Sequence, residues 1–188
     1  MLQNAEVLME KVGLGIPNSW FQTIGLAIAG LGLMLAYSPL ADRVASHWFH
    51  KPPTLGAFRA IQQSKGHLII GILVAWLLGG VLEELIFRGL VLRSVEGVLA
   101  AQLLPSIATV VAIGVAAFGA TLFHVYQGSR AMLIIAQLSI LFGVLFVVSG
   151  YNLWTVMVCH GLYDTIAFVR FANKKSKYSN LEGSSGDR

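Results

Sequence analysis

Charge is scarce in this 188-residue chain. Asp, Glu, Lys and Arg together make up 12% of it, against 56% hydrophobic residues. An ordinary soluble domain carries about twice that charged fraction. So few charged side chains cannot coat a soluble core with this much apolar content. The balance excludes a soluble globule, a disordered chain and a nucleic-acid-binding module, whose basic residues would gather in a patch or stripe. Cysteine is scarcer still: Cys159 stands alone, which excludes an internal disulfide and a cysteine-rich zinc site. The opening segment MLQNAEVLMEK has two acids and one base ahead of the first apolar run, unlike the basic start of a signal peptide. No internal repeat is legible.

What the chain has instead is long runs without charge, over 12–41, 97–129 and 131–163. A bilayer core takes about 20 residues of helix. The runs predict an all-α, polytopic membrane helix bundle of about five transmembrane helices. The first lies near Trp20–Tyr37, ended by Pro39. The second runs from near His67 to about Leu92, the third from about Pro105 to Tyr126, the fourth over Ala131–Val148 and the fifth over Leu153–Phe171. The turn cluster SGYN, residues 149–152, separates the last two. The stretch His47–His50, HWFH, reads as an interfacial segment rather than a metal site, because aromatic residues gather at membrane surfaces. The expected organisation is a single membrane domain over 1–188, with a core over 67–171 and a solvated, mobile tail over 172–188.

Basic residues set the orientation of such a bundle. With five spans, the 38–66 loop, the loop at Arg130 and the C-terminal tail share one side and hold ten Lys and Arg. The other side holds Lys11 and Arg93, with Arg88 inside a span. This predicts an integral protein of the cytoplasmic (inner) membrane with its C-terminus in the cytoplasm. Expected partners are the lipid bilayer and a protein or peptide substrate, with no nucleic acid; a homo-oligomer is left open.

Ionisable groups inside apolar spans are costly and are functional candidates by default. Here they are Glu83, Glu84 and Arg88 on the second span, His124 late in the third, and His160 and Asp164 on the fifth. Glu84 and Arg88 are spaced i, i+4, so they share a helix face and can pair. Glu83, about 100° further round an α-helix, is left without a local partner and can serve as a general base. His160 and Asp164 are also i, i+4, so the carboxylate can fix the imidazole tautomer. Taken singly, Glu84–Arg88 reads equally well as a structural pair, His124 as an interfacial histidine and His160–Asp164 as a packing contact. A hairpin turning near residue 103 brings Glu83 and His124 to one depth, and His160 lies about five residues off that level, a gap that side-chain reach and helix tilt can absorb. Together the six residues form a candidate site.

The segment Glu83-Glu84-Leu85-Ile86-Phe87-Arg88-Gly89 resembles the EExxxR signature of the CPBP family, the CAAX-type prenyl-protein endopeptidases and bacteriocin-processing intramembrane proteases. His124-Val125-Tyr126-Gln127-Gly128 resembles its second motif, and His160-Gly161-Leu162-Tyr163-Asp164 its third. The motifs occur in the family's order on three spans. Two positions depart from the pattern: Ala120 stands where the second motif has Phe, and Asp164 where the third more commonly has Asn.

The resemblance implies hydrolysis of a peptide bond in a membrane-anchored or lipidated protein, or in a leader peptide. Glu83 would activate water and His124 assist. Glu84 and Arg88 would brace the helix, while His160 and Asp164 would stabilise the oxyanion or position the water. The family has been described both as metalloproteases and as glutamate proteases. The reading taken is a glutamate-activated water with no cofactor; the alternative is zinc held by Glu83, His124 and His160. Two other classes remain open from the sequence: a non-catalytic scaffold or bacteriocin self-immunity protein of the same fold, and a small transporter or proton channel.

Overall fold

The computed structural model describes residues 2–184, with side chains over 7–173. Helix α1 spans Leu2–Lys11 and α2 spans Trp20–Trp48. A 3-10 segment, Gly56–Gln62, leads into α3, a continuous helix over Lys65–Leu99. Helix α4 spans Pro105–Leu122, α5 Ser129–Val148 and α6 Leu153–Ser184. There is no strand among the described residues. The protein is an all-α membrane helix bundle. Among the described residues α2, α3, α4 and α5 are long and apolar enough to cross a bilayer. The expected fifth segment is helical and packs along α2 and α3, but it is not one of those four. His160, Asp164 and Arg170 reduce its apolar character.

Local chemistry starts each helix. The Ser19 hydroxyl accepts from the Gln22 amide at 3.2 Å, and Ser64 accepts from His67 at 3.2 Å. Each satisfies an amide that the first helical turn leaves unpaired. Pro105 opens α4, where its missing N–H costs nothing. Gly128 (φ 88°) supplies the left-handed residue that lets α5 start directly behind the turn after α4.

Small residues let the helices approach closely, as in other membrane bundles. Ala27 of α2 and Ala112, Ala116 and Ala120 of α4 are buried together with Leu138, Phe142 and Phe146 of α5 and Val156, Met157 and Cys159 of α6. Helix α2 packs on α5 and α6, and α4 packs on α5 and on the later part of α3. Large apolar side chains on the outside, among them Phe21, Leu33, Ile70, Leu73, Leu77, Val110 and Phe118, are exposed, as a lipid-facing surface requires.

Pro39 does not end α2, contrary to expectation. The helix runs nine residues past it, and Ala41 and Ala45 beyond it are buried. The carbonyl that Pro39 cannot serve costs one helical hydrogen bond. Packing outweighs that loss. Tyr37 donates to Gln137 Oε1 at 2.9 Å, and Gln137 Nε2 donates to the Ala41 carbonyl at 3.3 Å. Both halves of α2 are thus fastened to α5. At the other end of the chain, α6 continues helically into the segment expected to be a tail. The side chains of that tail from residue 174 onward, and residues 185–188 entirely, lie outside the described residues.

The winding of α3 is unusual. It is α-helical over Lys65–Ala75 and Arg93–Leu99, but π-helical over Trp76–Glu83 and Leu85–Leu92, either side of Glu84. A π-helix bonds i to i+5, is usually confined to a single turn, and is frequent at functional sites. Here the expected second span, closing near Leu92, is prolonged to Leu99.

The connections define two ends. At one, the Thr54 amide donates to the Gln127 carbonyl at 2.9 Å, and Arg130 forks onto Asp42 at 2.9 and 2.7 Å. At the other, the Leu153 amide donates to the Gly13 carbonyl at 2.9 Å, and Tyr151 and Thr109 both donate to Glu96 Oε1, at 2.6 and 2.5 Å.

Candidate active site

Glu84 and Arg88 lie at the wide-wound centre of α3 and are almost fully buried, at 0% and 1% exposed. Arg88 Nη1 donates to Glu84 Oε1 at 3.1 Å, the i, i+4 pair expected from spacing. The same oxygen takes a second bond that the spacing did not reveal: His160 Nδ1 lies 2.5 Å from it. A carboxylate oxygen accepts, so Nδ1 carries the proton and donates. The other oxygen, Glu84 Oε2, is buried with no hydrogen-bond partner among the described residues.

His160 Nε2 faces Asp164, 3.6 Å from Oδ2, on the same face of α6. The imidazole lies flat against Phe142, with ring centroids 4.7 Å apart. Close approach of α3 to α6 makes this possible. A Cβ on Gly80 would sit 3.3 Å from the Gly161 backbone, and one on Gly79 would sit 2.9 Å from Asp164 Oδ2. The Gly79–Gly80 pair therefore gives α6 a smooth surface against which His160 and Asp164 can face α3.

Glu83 makes no hydrogen bond among the described residues and is only partly buried. Arg88 pairs with Glu84, four residues before it, and makes no ion pair with Glu83 among the described residues.

His124 sits just past the end of α4. Its Nδ1 donates to the Ala120 carbonyl at 2.9 Å, leaving Nε2 as the acceptor, and its ring stacks on Tyr126. Ala120 is fully buried. The aromatic packing beside it comes from Phe87 of α3, which lies edge-on to Phe123 at 5.3 Å and is buried against the Gly119 position.

The structure thus joins Glu84, Arg88, His160 and Asp164 by direct contact, with Glu83 next to Glu84 on α3; His124 makes no hydrogen bond or ion pair to them among the described residues. Among the described residues no three His, Cys, Asp or Glu side chains converge closely enough to hold a metal ion. As these side chains stand, Glu83, His124 and His160 do not converge as a zinc site requires.

Sequence reasoning missed two residues, both on α5. Arg88 Nη2 donates to Ser139 Oγ at 2.6 Å and to the Ser139 carbonyl at 3.0 Å. Phe142 lies under the Arg88 guanidinium at 5.3 Å as well as against His160. A signal was present. Between Met132 and Val148, Gln137 and Ser139 are the polar side chains, and a polar group in lipid must find a partner. Gln137 finds α2; Ser139 finds the arginine.

Carboxylates, imidazoles and a guanidinium gathered inside a bundle of apolar helices define an integral membrane protein with a polar intramembrane centre. The sequence model of the type II CAAX prenyl endopeptidase Rce1-like family matches residues 65–166. That is more than half of the chain and includes all six candidate residues. The chain belongs to this family of CAAX-type intramembrane proteases, within the CPBP proteases. No curated protein and no solved structure matches it.

Proposed function

We propose that this protein is an intramembrane endopeptidase that hydrolyses a peptide bond near the end of a membrane-anchored, lipidated protein, using a water activated by Glu83. The observation that carries the reading is the joining of Glu84, Arg88 and His160 through one carboxylate oxygen, within the segment that matches a prenyl endopeptidase family. Those bonds commit Glu84 to holding Arg88 and His160. Glu83, without a hydrogen bond among the described residues, is the carboxylate with lone pairs to spare for water. A positioned base of this kind contributes about 100- to 10,000-fold to rate.

Each neighbour has a part in that chemistry. His124 has Nε2 free to accept, so it orients the water or takes its second proton. His160 donates through Nδ1 to Glu84; with a second proton on Nε2, balanced by the adjacent Asp164 carboxylate, the imidazolium presents Nε2–H to the charge that develops on the scissile carbonyl. A donor aimed there stabilises the tetrahedral intermediate. The substrate's lipid would lie along the exposed apolar faces of α3 and α4, in the bilayer. The end of the bundle bearing Asp42, Arg130 and the 49–64 loop is assigned to the cytoplasm of an inner membrane, because basic residues are concentrated there.

The test is cleavage of a prenylated CAAX peptide by the purified protein in liposomes. Glu83→Gln and Glu83→Ala should each lower kcat at least 100-fold while leaving the fold intact. Cleavage unchanged in both variants would overturn the reading.

A further inference from the structure

Helix α5 contributes none of the six residues read from the motifs, yet it grips two of them. Arg88 is 1% exposed, and a buried guanidinium must have its donors satisfied in fixed directions. Two of those directions are set by Ser139, whose hydroxyl and carbonyl both accept from Nη2. With Nη2 anchored, Nη1 is aimed at Glu84 Oε1. That single oxygen also holds His160, while Oε2 has no partner among the described residues. The carboxylate is consequently anchored from one side only. Its orientation, and through it that of the His160 ring, depends on how the guanidinium is held. Phe142, three residues beyond Ser139, closes the arrangement by stacking on His160 and lying under Arg88.

We infer that Ser139 is a positioning residue for the proposed reaction: through Arg88 and Glu84 it sets the orientation of His160, with Phe142 as the backing surface. The inference rests on the reading that His160 serves hydrolysis at a water activated by Glu83. Ser139 touches no reacting atom in this arrangement. Its effect belongs to turnover and not to substrate binding, because the chain Ser139–Arg88–Glu84–His160 ends at the group that meets the transition state.

The experiment uses the full chain in liposomes with a farnesylated CAAX peptide as the probe. Ser139→Ala, Ser139→Thr, Phe142→Leu and Glu83→Gln are compared, and rates are normalised to folded protein by thermal melt. Ser139→Ala is expected to lower kcat about ten-fold or more, the scale of one hydrogen bond to a charged group, with KM within two-fold of the parent. Ser139→Thr keeps the hydroxyl and should restore kcat to within about three-fold. Phe142→Leu should likewise lower kcat and spare KM. Parental kcat in Ser139→Ala, a loss no greater than the loss of folded protein, or no restoration by threonine would each overturn the inference. Retained cleavage in Glu83→Gln strikes the reading beneath it instead. An inactive Glu83→Gln beside a normal Ser139→Ala strikes this inference alone.

Discussion

His160 and Glu84, 76 residues apart in sequence, meet through Nδ1 and Oε1 at 2.5 Å. The same oxygen receives Arg88 at 3.1 Å, so one carboxylate ties α3 to itself and to α6. Removing it strands a buried guanidinium. Glu84→Ala is expected to destabilise the protein by about 3–5 kcal/mol, because an uncompensated charge remains inside. Glu84→Gln keeps an acceptor and should cost less than half of that. Thermal unfolding in detergent checks both; equal melting temperatures for Glu84→Ala and the parent would refute the pairing.

Gly161 of α6 lies against the indole of Trp76, whose Nε1 donates to Thr165 Oγ1 at 3.0 Å. Alanine in place of glycine favours a helix by about 1 kcal/mol. Here its Cβ would overlap a ring that Thr165 holds in place, and overpacking costs about 1–3 kcal/mol. Sterics should win. Gly161→Ala is expected to lower stability, and Gly161→Ala combined with Trp76→Leu to recover part of the loss. A stabilised single variant would show that the ring yields freely.

Asp42 and Arg130 join α2 to α5 through a forked pair whose carboxylate is half exposed, 49% by side chain. Solvent screens such a pair to about 1 kcal/mol or less. A double-mutant cycle of Asp42→Asn and Arg130→Gln should give a coupling in that range that shrinks in high salt. Cleavage should be unaffected. A coupling above about 2 kcal/mol would mean that the pair is far less hydrated than its exposure implies.

Tyr151 occupies the turn between α5 and α6 with φ 60°, and its hydroxyl donates to Glu96. Burial, with the Glu96 carboxylate beside it, raises the phenol above its ordinary range. A folded-state value above the unfolded one stabilises the protein fully below about pH 10, and that contribution is lost as the pH climbs through the folded value. The stability of the parent relative to Tyr151→Phe should be level from pH 7 to 9 and decline at higher pH. The hydrogen bond itself should be worth about 1 kcal/mol. A difference that grows with alkalinity would reverse the sign of this argument.

The helical segments and the six polar residues were legible in the sequence because lipid tolerates few charges, which makes each intramembrane ionisable group conspicuous. The partnership of Glu84 with His160 was not, since it depends on how close α3 and α6 approach at Gly80 and Gly161. Pro39 was misleading as a stop signal: local propensity favoured an end there, and anchoring by Tyr37 and Gln137 prevailed. Ser139 was overlooked because a single hydroxyl in an apolar run carries no motif; its meaning appears only when a buried donor is found facing it.

The winding of α3 has a wider consequence. A π turn swings each residue through a smaller angle than an α turn, so the pitch of Trp76–Leu92 sets the bearing of Glu84 relative to the α-helical start of α3. Were that stretch to rewind into an ordinary α-helix, Glu84 would turn relative to α6 and His160 without a single side chain being changed. In this chain the pitch of α3 is itself an element of the site.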